Sequence, residues 1–213
     1  MSLNYGTLKT QILADTHRTE LTGEVANFVR AAEGVIARRL RCSEMLTRVD
    51  LTDSDRVTAD EGFYTLPTDY LEARALFLIQ SAEGDIMLEP VSLMELRRYS
   101  SSSKVRQYTI ITDTEVELRG VPSTTQSFEL IYFARPTAFA ADGDVNDILT
   151  RHEAVYLHAG ISALYQFTQD LELSAAHGQI AIDAIEALNE QAGRMIGGNN
   201  TAGYYDFNSW GGR

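Results

Sequence analysis

The 213-residue sequence is poor in several things: it has one cysteine, one tryptophan and four prolines, and its 18 basic residues are outnumbered by 30 acidic ones. Cys42 has no second cysteine to pair with, which excludes a disulfide framework and a cysteine-based zinc site and fits a reducing compartment. Placed beside Arg41, it reads as a small apolar filler at a helix end. The shortage of bases leaves a net charge of -12, which argues against wrapping nucleic acid through its phosphates. No apolar run approaches the roughly 18 residues that a membrane span needs, and the opening MSLNYGTLKTQ lacks the basic and apolar regions of a signal peptide. The expectation is a chain made and kept in the cytosol. No glycine-rich loop followed by Lys and Ser or Thr is present to cradle a phosphate.

What is present is a globular composition, 44% hydrophobic and 23% charged, sufficient for one domain or for one core with a sizeable insertion. Charge is spread unevenly: residues 1–48 carry 7 basic and 5 acidic groups, 49–139 carry 8 and 15, and 140–213 carry 3 and 10. The basic share gathers on ARRLRC, where Arg38, Arg39 and Arg41 either oppose the negative end of a helix dipole or face a partner.

Two amphipathic helices open the chain. Tyr5, Leu8, Ile12 and Leu13 share one face of the first. Thr22 is the expected N-cap of the second, which carries Val25, Phe28, Val29, Ala32, Val35, Ile36 and Leu40 as a stripe. From about residue 43 to 139 the period changes from 3.6 to 2, and FYTLP, ARALFLIQ, DIMLEP, QYTIIT, EVELRG and SFELIYFA read as short strands. The fourth and fifth form a hairpin through Asp113 and Thr114, and VSLMELRRYS is a short helix capped by Ser92 with Glu95.

Two further helices close the pattern. Ile148, Leu149, Val155, Tyr156, Ala159, Ala163, Leu164 and Phe167 line one, and Leu173, Ala176, Ile180, Ala184, Ala187 and Leu188 line the next, with Asp170 as the cap at their corner. Neither pair of helices hides its stripe alone. The expected fold is therefore α+β: residues 1–42 and 140–196 form a four-helix bundle, and 43–139 are an inserted small antiparallel β-sheet region.

Candidate chemistry is sparse. RHEAVYLH contains His152, Glu153 and His158, but a zinc-protease pair needs histidines four apart, and the residue four after His152 is Tyr156. His177 on the next helix is the one histidine expected to be able to approach them. Asp142, Asp144, Asn146 and Glu153 fall at positions 1, 3, 5 and 12 of a calcium loop, yet Asp147 stands where that loop needs glycine and a strand, not a helix, precedes it. In AGISAL, Ser162 follows Gly160 by two, but Leu164 replaces the glycine of a nucleophile elbow. No cofactor site and no catalytic set emerge, and the four acidic-loop residues are the weak metal candidates.

Residues 197–213, ending in GGNNTAGYYDFNSWGGR, have no helical or strand period but hold Tyr204, Tyr205, Phe207 and Trp210. Burying four rings against the chain's own body does not offset the backbone entropy of ordering such a segment, so a flexible C-terminal docking arm for a partner is expected.

The order of these pieces resembles the head-to-tail adaptor (connector, or head-completion) proteins of tailed bacteriophages and prophages. The resemblance is carried by LNYGTLKTQILADTHRTELTGEVANFVRAAEGVIARRLR, GFYTLPTDYLEARAL, FELIYFARP and NDILTRHEAVYLHAGISALYQFTQD with its following helix. The tail tubular A proteins of short-tailed phages share the pattern. The resemblance implies a structural, non-enzymatic protein of the virion head-tail junction, built as a ring, commonly of twelve copies, beneath the portal protein. It also implies a downstream tail or stopper protein as partner and a C-terminal segment that contacts the portal. An acidic body suits a channel through which DNA passes without specific binding. The alternatives are a tail-tube component and, from another class, a metal-binding hydrolase or calcium-binding module on Asp142, Asp144, Asn146 and Glu153.

Overall fold

Asn4 starts the first helix with a reciprocal cap: its side chain accepts from the Thr7 amide at 2.8 Å, and its own amide donates to the Thr7 hydroxyl at 2.8 Å. The computed structural model describes residues 3–57, 62–80, 84–98, 105–120, 122–123 and 125–197. In chain order its helices are α1 (Tyr5–Thr16), α2 (Val25–Arg39), α3 (Leu93–Arg98), α4 (Asp147–Arg151), α5 (Glu153–Phe167) and α6 (Leu171–Gly197). Its strands are β1 (Leu46–Leu51), β2 (Phe63–Thr65), β3 (Tyr70–Leu78), β4 (Ile86–Met87), β5 (Glu89–Pro90), β6 (Gln107–Ile110), β7 (Glu115–Leu118) and β8 (Phe128–Ala134). The chain divides into two compact units, Met1–Glu44 with Thr137–Arg213, and Met45–Pro136. None of the described helices is long and apolar enough to cross a membrane.

In the helical unit the contacts converge on α5, against which α1, α2, α4 and α6 all pack. Tyr5, Leu8, Ile12 and Leu13 are buried on α1, and Val25, Phe28, Val29, Ala32 and Ile36 on α2, as their spacing predicts. Helix α1 comes so close to α5 that a Cβ on Gly160 would lie 2.6 Å from Ile12 Cδ1. Between α5 and α6, Ser162 Oγ donates to the Ser174 carbonyl at 2.8 Å and Ser174 Oγ returns the bond to the Ser162 carbonyl at 2.9 Å. Asp170 accepts from the Leu173 amide at 3.3 Å, so it caps the corner as expected, after Gln169 turns the chain with a φ of 62°.

The second unit holds two four-stranded sheets, in the orders β1-β8-β3-β4 and β2-β7-β6-β5. Both feed one apolar core that includes Leu51, Tyr64, Leu76, Val116, Phe128 and Leu130. Tyr64 meets Phe128 edge-on across that core, ring centroids 5.5 Å apart. The first sheet is antiparallel throughout, whereas β5 pairs parallel with β6, which makes the second sheet mixed.

Several expectations change. The region is two sheets and not one small antiparallel sheet, β1 is an additional strand, and DIMLEP contributes β4 to one sheet and β5 to the other, pivoting at the fully buried Leu88. Thr22 does not cap α2: its own backbone is helical (φ -54°, ψ -34°) and its hydroxyl donates back to the Thr19 carbonyl. The closing helix breaks at His152 (φ -134°, ψ 49°), whose ring bonds Glu44 Oε1 at 3.2 Å. Helix α6 buries Ala181, Ile185 and Ala192 instead of the predicted stripe, and Phe167 is 58% exposed. By contrast, Ser92 and Glu95 do make the predicted capping box, and β6 and β7 the predicted hairpin.

At Gly62 the chain runs against β7's end: its carbonyl accepts from the Leu118 amide at 2.7 Å, and an added Cβ would sit 2.5 Å from the Leu118 oxygen. Because that obstacle is backbone, Gly62→Ala should destabilise by about 1–3 kcal/mol, while Gly143→Ala, which meets nothing within 4 Å, should stay within about 0.5 kcal/mol. Urea unfolding of the two variants checks the difference.

Candidate functional site

The acidic stretch 142–153 is used, but for holding a helix start. A helix leaves its first four amide groups without intrahelical partners. Here Asn4 donates to the Thr7 hydroxyl, Tyr5 to the Asp144 carbonyl at 2.9 Å, Gly6 to the Asp142 carbonyl at 2.8 Å and Thr7 to Asn4 Oδ1, so all four amides at the start of α1 are satisfied. Lys9 Nζ reaches Asp142 Oδ1 at 2.6 Å, and the Tyr5 ring stacks on Phe139 with centroids 5.2 Å apart.

The remaining members of the calcium-like pattern have separate tasks. Asp144 Oδ2 accepts from the amides of Ala140 and Ala141, both at 2.7 Å, and these bonds hold its carboxyl below the usual range. Asn146 caps α4 through the Leu149 amide at 2.8 Å, and its amide nitrogen donates to the Thr137 carbonyl and the Tyr156 hydroxyl. Glu153 stands in the first turn of α5, exposed. Among the described residues no three His, Cys, Asp or Glu side chains gather closely enough to hold a metal ion.

The basic candidates divide. Arg41 turns back onto its own helix end, Nη1 donating to the carbonyls of Ala37 at 3.0 Å and Leu40 at 2.6 Å, which neutralises the negative pole of α2. Arg38 and Arg39 lie exposed in the last turn and have no ion-pair partner among the described residues. Cys42 is buried, 1% exposed. Tyr204, Tyr205, Phe207 and Trp210 lie outside the described residues.

The feature missed in the sequence is apolar surface on the helical unit. Leu171 is 69% exposed, Leu173 40%, Ile180 45%, and Phe167 reaches the surface beside Phe28, ring centroids 5.5 Å apart. A shallow groove of about 320 Å³ continues along α6, lined by Arg151, His152, Glu153, Ala184, Ala187 and Leu188. The signal was available: α6 carries apolar residues around more of its circumference than one neighbouring helix can cover.

The protein family described as SU10 adaptor protein matches residues 3–203. The chain belongs to the SU10 adaptor protein family. That agrees with the resemblance to phage head-to-tail adaptors carried by the order of sequence elements. No curated protein matches the chain. Among solved structures, a chain described as the neck of an empty GTA particle, computed with C6 symmetry, is similar at 15% identity over 69% of this chain and 67% of that one, with a TM-score of 0.25.

The helical unit of this SU10 adaptor family member also contains a histidine pair. His158 of α5 and His177 of α6 bring their Nδ1 atoms to 3.0 Å with the rings stacked, and Tyr165 lies over His177. Burial first, then the neighbouring His177, lowers the His158 pKa from 6.5, with Asp15 opposing. A depressed histidine takes up its proton later in the folded chain than in the unfolded one. Its stabilisation is therefore complete above about pH 6.5 and is lost as pH falls through the lowered value. Glu44 acts in a separate window: burial works against it, but hydrogen bonds from its own amide, Ser43, His152 and Cys42 hold its carboxyl at about 2. Thermal melts should thus decline below about pH 6.5, and His158→Gln should flatten that first part of the decline. An unchanged slope would assign it to other groups.

Proposed function

We propose that the chain is a structural, non-catalytic head-to-tail adaptor of a bacteriophage or prophage, acting at the head-tail junction of the virion after synthesis in the host cytoplasm. The match of the adaptor family across 3–203 carries this reading. In it, copies close into a ring beneath the portal protein, twelve in number by analogy with related adaptors, and join the DNA-filled head to the tail. The helices around α5, arranged as a four-helix body, form the ring wall. The β-rich region meets the downstream tail or stopper protein, and residues 197–213 dock on the portal through Tyr204, Tyr205, Phe207 and Trp210. The net charge of -12 keeps passing DNA from adhering to the channel.

The absence of enzymatic activity is part of the proposal. It is supported by the commitment of Asp142, Asp144 and Asn146 to the start of α1 and α4. Calcium or zinc should leave the melting temperature within about 1 °C; a shift of many degrees would restore the metal-binding alternative.

The direct test is electron microscopy of the full-length protein mixed with portal-bearing heads. Closed rings on the portal are expected, whereas long self-assembled tubes would identify a tail-tube component. Deletion of residues 197–213 should leave a folded protein that no longer joins those heads. Loss of the fold on that deletion would make the aromatics core residues.

A further inference from the structure

Helix α6 presents two apolar lines. At 100° per residue, Ser174, Gly178, Ala181, Ile185 and Ala192 lie along the arc that is covered or half-covered. Leu173, Ala176, Ile180 and Ala187 form a second line on the open side, about 21 Å long. One edge of that line is acidic, with Glu172, Asp183, Glu186 and Glu190 all exposed. Helix α2 presents the converse. Opposite its buried Phe28, Ala32 and Ile36 it carries Arg30, Ala31, Gly34 and Arg38, two bases flanking two small residues, and the space where a Gly34 side chain would stand is open to 4 Å. Arg38, Glu172 and Glu186 have no ion-pair partner among the described residues.

We infer that the open face of α6 docks on the open face of α2 in a second copy, Leu173 and Ile180 seating against Ala31 and Gly34 while the acidic edge meets Arg30 and Arg38. The faces match in the fit of large apolar side chains to small ones and in charge. Because the contact joins two different surfaces, every copy keeps one of each to offer, so the contact repeats and closes into a ring if its rotation allows. That closure rests on the adaptor reading. Residues 198–213 are the poorer occupant: they hold one acid, Asp206, and one base, Arg213, and so cannot match the acidic edge. A single helix-pair contact buries less than the roughly 800 Å² per partner of a standard interface, so it is weak between two free copies and strengthened when neighbours hold it in place.

The test is oxidative crosslinking of the full-length chain carrying Gly34→Cys and Ile180→Cys together. The parent, whose Cys42 is 1% exposed, serves as background. The double variant should give a ladder of dimers, trimers and longer species, and each single variant should give none. Arg30→Glu with Arg38→Glu in that background should cut the ladder about tenfold, and adding Glu172→Arg with Glu186→Arg should restore it. Circular dichroism melts establish that each variant is folded.

Three results would overturn the inference: dimers from Ile180→Cys alone, which would make the face self-complementary; loss of the ladder on removing residues 198–213; or no crosslink in a folded double variant. Loading on portal-bearing heads is measured in parallel. Loading without crosslinking sinks this face and leaves the adaptor reading, and crosslinking without loading does the reverse.

Discussion

The close approach of α5 and α6 governs the helical unit. Ser162 and Ser174 exchange hydroxyl-to-carbonyl bonds, and a Cβ on Gly178 would stand 3.1 Å from Ser162 Oγ. Small residues line the first part of that seam, where α6 turns Ser174, Gly178 and Ala181 inward, and Ile185 is buried farther along. The larger Leu173 and Ile180 are thereby sent outward, although a hydrophobic count would place them inside. The same economy of size operates on the other side of α5, where Gly160 admits Ile12. The hub helix is thus approached closely by one neighbour on each of two faces, and the surface chemistry of the unit follows from what those seams exclude.

The start of α1 shows how a spacing that resembles one function can serve another. Asp142, Asp144 and Asn146 alternate because their loop must offer carbonyls to Tyr5 and Gly6, a carboxylate to its own preceding amides, and a cap to α4. Carboxylates beside a helix N-terminus also suit its dipole. The result ties residues 5–9 to residues 139–144, far apart in sequence, and leaves no side chains of that set pooled around one point.

Much of the fold was legible because local rules act locally. Tyr5, Leu8 and Ile12, or Val25, Phe28 and Ala32, reveal a helix and its buried face together, since each helix carries a single apolar stripe. Ser92 with Glu95, and Asp170, are caps that require only their own backbone. Where a choice depends on distant groups, the pattern was silent. LTRVDL buries only Leu51 fully and so lacks a strand's alternation, yet it pairs along its length with β8. The break at His152 has no glycine or proline to announce it and is held by Glu44. Thr22 has the chemistry of a cap but not the extended backbone. Of the candidate partner contacts, Arg41 proved committed to its own helix end, Arg38 and Arg39 remain outward, and the four tail aromatics lie beyond the described residues. The adaptor family was recognisable from the order of elements, which survives even where individual faces are misread.

The two units also differ in how the chain builds them. Met45–Pro136 is continuous in sequence, so its core can close as soon as that segment has left the ribosome. The helical unit cannot: α1 and α2 emerge first but must wait for α5, the hub on which both pack, until the entire intervening segment has been synthesised. During that interval Leu8, Ile12, Phe28 and Ile36 have no α5 to cover them, which makes the nascent amino-terminal helices the stage at which chaperones have the most to bind.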